Sequence, residues 1–376
     1  MKKILITGGA GFIGSRLCEK LFDKGYDITV LDNLSPQIHA ANGESFLFNR
    51  IKDKCIFIHG DVRYKEDWEK VIKGQDIIVH LAAETGTGQS MYQSEKYHDV
   101  NVMGTSHMLE LLAKIKHQVQ KIVVASSRAI YGEGKYLSPN HTETYPLQRK
   151  ELDMQRGYFN LKCEISNSNL ELVATDECSK IQPLSIYGIT KQKQEEMVMK
   201  SSKLLNIPSV AFRYQNVYGP GQSLSNPYTG ILSIFSTRIL NGNDLDVYED
   251  GLQSRDFVYI DDVVDATILG IEKAGANGQI FNVGSGVATT VNKVASLLKS
   301  YYNSDINISI SGKYRIGDIR HNYADLTKIK SVLGFRPKID FQNGVNEFVK
   351  WVKTQNIMED KYENSIMELK QKGLIK

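Results

Sequence analysis

The sequence predicts an α/β protein, a doubly wound parallel sheet with a smaller α/β C-terminal domain. Three observations carry the prediction. Short β-branched runs alternate with helical patterns through the first half. Those runs are continuously apolar rather than alternating. The first of them leads into a glycine cluster that opens a helix. A parallel strand is covered on both faces, so its side chains are apolar throughout, whereas a half-exposed strand alternates.

Taken in order, "KILIT" (3–7), "DITVLD" (27–32), "CIFIHGD" (55–61), "DIIVHLAA" (76–83) and "KIVVASS" (121–127) read as buried strands. Residues 12–24, 65–73 and 101–116 read as helices between them, giving the alternation of a doubly wound fold. "SVAFRYQN" (209–216) and "QIFNVG" (279–284) extend the strand series. The stretch 133–180 mixes polar and charged residues without a period and reads as an insertion.

Composition narrows the possible partners. The 376 residues, long enough for about two domains, are 41% hydrophobic and 24% charged, with a net charge of +3. No dense Lys/Arg cluster appears, so neither nucleic acid nor an anionic membrane surface is expected. Cys18, Cys55, Cys163 and Cys178 show no Cys-x-x-Cys spacing and no disulfide framework, which suits a reducing compartment. The apolar part of "MKKILITGG" is too short for a signal peptide. No apolar run approaches the ~20 residues that cross a bilayer. The expectation is a soluble cytoplasmic protein.

The glycine cluster, "TGGAGFIGSRL", satisfies both Gly9-x-Gly11-x-x-Gly14 and Gly8-x-x-Gly11-x-x-Gly14. Glycines there allow a tight turn, close approach of a pyrophosphate, and close packing of helix on strand. The helix N-terminus then offers unpaired N–H groups to the anion. Asp32 ends the second strand, where a carboxylate accepts from ribose hydroxyls and repels a 2′-phosphate. NAD is therefore expected rather than NADP. Asp61, ending the third strand, either meets the adenine or is a solvated strand end.

In "SIYGITK" (185–191), Tyr187 stands four residues before Lys191. On a helix the two share a face, and a nearby ammonium favours phenolate, so Lys191 is expected to lower the phenol's pKa. The spacing alone also occurs by chance.

With the fingerprint, "HLAA" (80–83), "ASSRAIYG" (125–132) and "SIYGITK", the chain resembles the extended short-chain dehydrogenase/reductase family of nucleotide-sugar epimerases and dehydratases. The likeness runs from residue 1 to about 352, through "RYQNVYGPG" (213–221), "RDFVYIDDVV" (255–264), "FNVGSG" (281–286), "YRIGDIRHNYAD" (314–325) and "LGFRPK" (333–338). It implies a Rossmann NAD-binding domain in 1–214 and 254–275, a sugar-nucleotide domain in 215–253 and 276–352, and a helical tail in 353–376.

It also implies Ser127 as active-site hydroxyl, Tyr187 as acid/base, and Lys191 as its partner and a ligand of the nicotinamide ribose. Ser126 is the alternative inward-pointing hydroxyl. The implied NAD site comprises Gly8, Gly11, Phe12, Ile13, Gly14, Asp32, Asn33, Asp61, Val62, Leu81, Ala82, Ala83, Thr85, Tyr187, Lys191 and Tyr214. For the sugar nucleotide, Ser127, Asn216, Tyr248, Arg255, Arg315 and Asp318 are implied. Arginine's planar fork suits phosphate oxygens. Arg255 has an alternative as an ion pair with Asp256, Arg315 and Asp318 as a pair with one another, and Tyr248 as core.

Dehydratases of the family carry acidic residues directly after the active-site Ser or Thr. Arg128 and Ala129 stand there instead. The resemblance therefore implies 4-epimerisation through a transient 4-keto sugar, with a 4,6-dehydratase or 4-keto-sugar reductase using other residues, and a non-enzymatic NAD-sensing protein on the same fold, as the alternatives. Within the family, "GQSMY" (88–92), residues 213–235, "YRIGDIRH" and "ELKQKGL" (368–374) resemble the dTDP-L-rhamnose 4-epimerase group. That group carries a cysteine-containing knuckle in the insertion. Cys163 and Cys178 are too few for a tetrahedral zinc site, and no metal is expected. The resemblance further implies a homodimer through a four-helix bundle of 101–116 and 186–203.

Overall fold

The computed structural model describes residues 1–39, 45–226, 228 and 230–376. Pro227 and Thr229, within the stretch 213–235, lie outside the described residues. Seven strands form one sheet: β1 (Lys3–Thr7), β2 (Asp27–Asp32), β3 (Ile56–His59), β4 (Ile77–His80), β5 (Lys121–Ser127), β6 (Ser209–Tyr214) and β7 (Ile280–Val283). Their order is β3-β2-β1-β4-β5-β6-β7, and every pairing is parallel. The first six follow the dinucleotide-binding order, with the direction of winding reversing between β1 and β4. Ligands bind such folds in the crevice outside the carboxyl ends of the strands at that reversal.

Successive side chains point to opposite faces. Ile4, Ile6, Val30, Val79 and Val123 join one buried cluster, while Leu5, Leu31, Ile78, Ile122 and Val124 join another. Two covered faces are the reason the strand runs are continuously apolar.

Several boundaries differ from expectation. β3 and β4 end at His59 and His80, short of Asp61 and Ala83, because the chain turns there to line the crevice. "SVAFRYQN" divides at Gln215: its first part is β6, and Asn216–Tyr218 pairs instead with Ser254–Tyr259 of a small separate sheet. Ile280–Val283, placed by the sequence division in the second domain, is the outer strand of the large sheet. The helix expected over 101–116 is a π-helical turn, Asp99–Met103, followed by the α-helix Gly104–Lys114. The insertion holds a small antiparallel sheet of Tyr136–Leu137, Glu143–Thr144 and Glu171–Leu172 and the short helix Glu151–Gln155. Two-residue strands are too short to display a period.

The helix carrying Tyr187 and Lys191 runs Ile186–Leu205. The Ser185 hydroxyl caps it, accepting from the Gly188 N–H at 3.1 Å, and left-handed Asn206 ends it two residues before Pro208. A buried ion pair holds it to the sheet: Arg213 on β6 reaches Glu195 at 2.6 and 2.9 Å. Arg213 also donates to the Tyr131 hydroxyl at 2.7 Å, which ties in the turn following Ser127.

The tail forms the helix Tyr362–Gln371 and then returns to the body. Tyr314 and Lys376 exchange backbone hydrogen bonds of 3.1 Å, and the Ile316 N–H donates to the Leu374 carbonyl at 3.0 Å. Among the described residues, no helix is long and apolar enough to cross a membrane. The four cysteines are free thiols.

Candidate active site

Beyond the carboxyl ends of the strands lies a cavity of about 480 Å³. All sixteen residues expected at the NAD site border it, together with Ser127 and Asn216. Gly8, Gly11 and Gly14 face this cavity; Gly9 faces the core, where a Cβ would come 2.7 Å from Val30. Gly8 has φ +69°, and a Cβ there would lie 2.8 Å from the Ala82 nitrogen. At Gly14 a Cβ would lie 2.3 Å from the Gly8 carbonyl oxygen, so only glycine lets the helix Phe12–Asp23 pack on the turn. Gly11 is its N-cap and has no side chain to accept from the first turn, leaving those N–H groups for an anion. This cradle fits a dinucleotide pyrophosphate.

The Asp32 carboxylate accepts from the Ala10 and Leu34 N–H groups, each at 2.9 Å, one on each oxygen. Each oxygen keeps a lone pair for a ribose hydroxyl. Asp61 is not a solvated strand end. It is 8% exposed and accepts from Asn33 at 2.8 Å and from the Arg63 guanidinium at 2.8 and 3.1 Å. Tyr214 borders the cavity, but its hydroxyl is engaged by Thr267 at 2.7 Å.

Tyr187 and Lys191 line the same wall, one helical turn apart. Lys191 is not among the groups that lower the Tyr187 phenol in the chain itself. Burial raises the Tyr187 phenol above its ordinary value; a hydrogen bond from Ser127 and the Arg128 guanidinium pull it only part of the way back. Burial also pushes the Lys191 ammonium down to about 7, against the attraction of Glu195. The Lys191 Nζ donates to Gln194 Oε1 at 2.6 Å rather than serving the phenol.

Behind Lys191 lies a buried polar chain. The Gln194 amide donates to the Thr105 hydroxyl at 3.0 Å; Thr105 Oγ1 lies 2.9 Å from His80 Nε2, and His80 Nδ1 lies 2.7 Å from Thr7 Oγ1. Burial, and then Lys191, hold His80 near 3, so it is neutral. Ser127 ends β5; its hydroxyl accepts from the Ala129 N–H at 3.1 Å and lies beside Tyr187. Ser126 also borders the cavity, and its buried hydroxyl has no partner among the described residues.

A second cavity, about 260 Å³, adjoins the first, and Asn216 borders both. Tyr248, Arg255, Arg315 and Asp318 line it, as expected together, but paired differently. Arg255 meets Asp318 at 2.7 Å rather than Asp256, whose carboxylate is taken by Ser285, Gly286 and Ala324. The Arg315 guanidinium lies over the Tyr248 ring, 5.2 Å from its centroid, and not on Asp318. Burial works to raise the Asp318 carboxyl, but Arg255, Arg315 and Arg128 outweigh it and hold it below its ordinary value.

Residues not assigned from sequence complete the walls. Arg128 sits where the cavities meet, its Nε donating to Asn216 Oδ1 at 3.1 Å; burial, and then Arg255, push it down to about 10. A charged residue directly after a strand-end serine was the signal available for it. Tyr228 borders both cavities, and Tyr362, Ser365 and Leu369 of the tail close the second. Leu369 falls within "ELKQKGL", while no local pattern marks Tyr362 or Ser365.

The family model described as "NAD dependent epimerase/dehydratase family" matches residues 4–158 and 163–284. The chain is 36% identical to dTDP-L-rhamnose 4-epimerase of Burkholderia thailandensis, over 93% of this chain and 95% of that protein. It is 33% identical to a putative UDP-glucose 4-epimerase of Methanocaldococcus jannaschii, over 94% and 99% respectively. The crystal structure of UDP-glucuronic acid 4-epimerase from Bacillus cereus, in complex with UDP-glucuronic acid and NAD, superposes with a TM-score of 0.75 at 25% identity, covering 93% of this chain and 99% of that one. Arising from the glycine cradle, the sheet order and these likenesses together, the conclusion is that the chain belongs to the NAD-dependent epimerase/dehydratase family, as an isomerase of the nucleotide-sugar epimerase kind with NAD as its cofactor.

Proposed function

We propose that the protein is a 4-epimerase that inverts the sugar of a nucleotide sugar through a transient 4-keto intermediate, converting dTDP-L-rhamnose to dTDP-6-deoxy-L-talose. The observation that carries the reading is the junction of the two cavities: Tyr187, Lys191 and Ser127 border the first, Arg128 borders the second, and Asn216 borders both. NAD, when bound, supplies a hydride acceptor that is restored within each turnover. Tyr187 takes the proton of the C4 hydroxyl and returns it, a role that calls for a base matched to neutral pH. Ser127 hydrogen-bonds the reacting oxygen and steadies the phenolate. Lys191 is assigned to the nicotinamide ribose, and Arg255, Arg315 and Asp318 to the nucleotide end. Arg128 and Ala129 offer no carboxyl for the extra proton transfers of a dehydration.

The dTDP-L-rhamnose assignment is supported by the Burkholderia relative and by the stretches "GQSMY", "YRIGDIRH" and "ELKQKGL". Incubating the protein with dTDP-, UDP- and GDP-sugars and following them by NMR tests it. The expected result is a single new C4 diastereomer from dTDP-L-rhamnose with no net NADH. Loss of water would instead mark a dehydratase, and net NADH consumption a reductase. A dimer through the helices Gly104–Lys114 and Ile186–Leu205 belongs to the same proposal.

The role of Ser127 has its own readout. Its hydrogen bond lowers the Tyr187 phenol. Removing it in Ser127→Ala removes a lowering influence, so the acid limb of the pH profile of kcat/KM is expected to move to higher pH. A limb that stays in place or moves down would separate Ser127 from the phenol.

A further inference from the structure

The insertion 133–180 has no part in the reading above, yet it is wired into the second cavity from behind. Arg149, with its side chain 4% exposed, lies at the centre of the contact. Its Nη2 donates to the Asp318 carbonyl at 3.0 Å, its Nη1 is 2.9 Å from Glu249 Oε1, and its Nε is 3.5 Å from Glu133 Oε1. Glu249 directly follows Tyr248 in the chain, and its backbone is held at φ +53°.

Arg320 is the second node and is fully buried. Its N–H donates to Glu133 Oε2 at 2.7 Å, its Nε to Asn160 Oδ1 at 3.0 Å, and its Nη1 to Glu249 Oε2 at 2.8 Å. Its carbonyl in turn accepts from Arg255 Nη1 at 3.1 Å. Beside the charges, Met154 and Phe159 of the insertion pack against Tyr314, the residue before Arg315. Every cavity residue assigned to the nucleotide end beyond Asn216 is thus one step from the insertion.

Isolated charges in such a site would be costly; here each guanidinium faces carboxylates, so the network tolerates burial only with all members present. Paired in this way, it fixes the loop 314–321 in one geometry. We infer that the insertion is a positioning element for the nucleotide end of the second cavity, with Arg149 as its central positioning residue. The inference rests on reading that cavity as the substrate site.

The test is calorimetric titration of the NAD-loaded full chain with dTDP, UDP and GDP, alongside NAD affinity. In Arg149→Ala, the diphosphate that the wild type binds best is expected to bind at least about tenfold more weakly, with NAD affinity unchanged within about twofold. Arg149→Lys, which restores the charge but not the fork, is expected to recover part of the loss. Should Arg149→Ala not fold, Asn160→Ala decides: its side chain is exposed, and freeing Arg320 Nε is expected to weaken the same diphosphate by about two- to threefold. Wild-type diphosphate affinity in the folded variants, or an equal loss of NAD affinity, would overturn the inference. A wild type that binds none of the three diphosphates would overturn the substrate-site reading itself, and the inference with it.

Discussion

Tyr187→Phe is expected to cut turnover by about 10²–10⁴-fold while leaving NAD affinity within about twofold of wild type. The substitution removes one oxygen from a ring otherwise held by its neighbours: Tyr187 sits edge-on to Tyr97, with centroids 6.4 Å apart, in the first turn of a capped helix. The packing therefore survives, and only the proton acceptor is lost. The other phenols bordering the cavity are engaged elsewhere, Tyr214 with Thr267 at 2.7 Å and Tyr228 with Tyr92 at 3.0 Å. Ser127 is an alcohol tied to the Ala129 N–H, and His80 is kept neutral behind Lys191. The phenol is raised by burial in the chain itself, so its ionisation is coupled to what shares the cavity with it. A Tyr187→Phe variant with wild-type kcat would remove this residue from the role of acid/base.

Gly14→Ala is expected to abolish measurable NAD binding, a loss of at least about 100-fold, and to lower Tm, since forcing atoms into a packed interior costs about 1–3 kcal/mol or more. The reason is steric and local. The new Cβ would lie 2.3 Å from the Gly8 carbonyl oxygen and 2.6 Å from the Gly9 Cα, both backbone atoms that cannot swing aside. Relief requires the helix Phe12–Asp23 to move off the turn, and the uncapped N–H groups facing the cavity move with it. At Gly25 on the surface, by contrast, a Cβ meets nothing within 4 Å, and what resists a side chain there is the left-handed backbone, φ +81°, rather than a clash. Titration of NAD into Gly14→Ala with near wild-type affinity would show that the helix N-terminus does not set the pyrophosphate position.

The parts of the fold legible in sequence are those whose cause is local. A strand, a glycine turn and a helix in direct succession announce Gly8, Gly11 and Gly14, and the next strand end announces Asp32, because all four are placed by one contiguous unit. The apolar runs announce the large sheet for a similar reason: burial on two faces writes itself into consecutive residues. Element ends were less legible. Gln215 divides a single apolar-looking run between two sheets, and the strand Ile280–Val283 joins the large sheet from far along the chain. Partners of charged residues were legible least. Adjacent Asp256 and nearby Arg315 were natural guesses for Arg255 and Asp318, but the chain instead brings those two together across 63 positions.

What the sequence by itself determined is the class of the fold, the NAD cradle and the family, since each depends on short-range pattern or on an ordered series of motifs. Only the tertiary structure decided how Tyr187 is tuned. Spacing on a helix places a lysine one turn away, but the ionisation of a phenol depends on everything that excludes water from it. Here burial, Ser127 and Arg128 set that balance, while the lysine turns to Gln194. The same holds for the second cavity, whose walls come from strand ends, the loop 314–321 and the C-terminal helix. Desolvation and charge pairing act through space, and chain order does not record them.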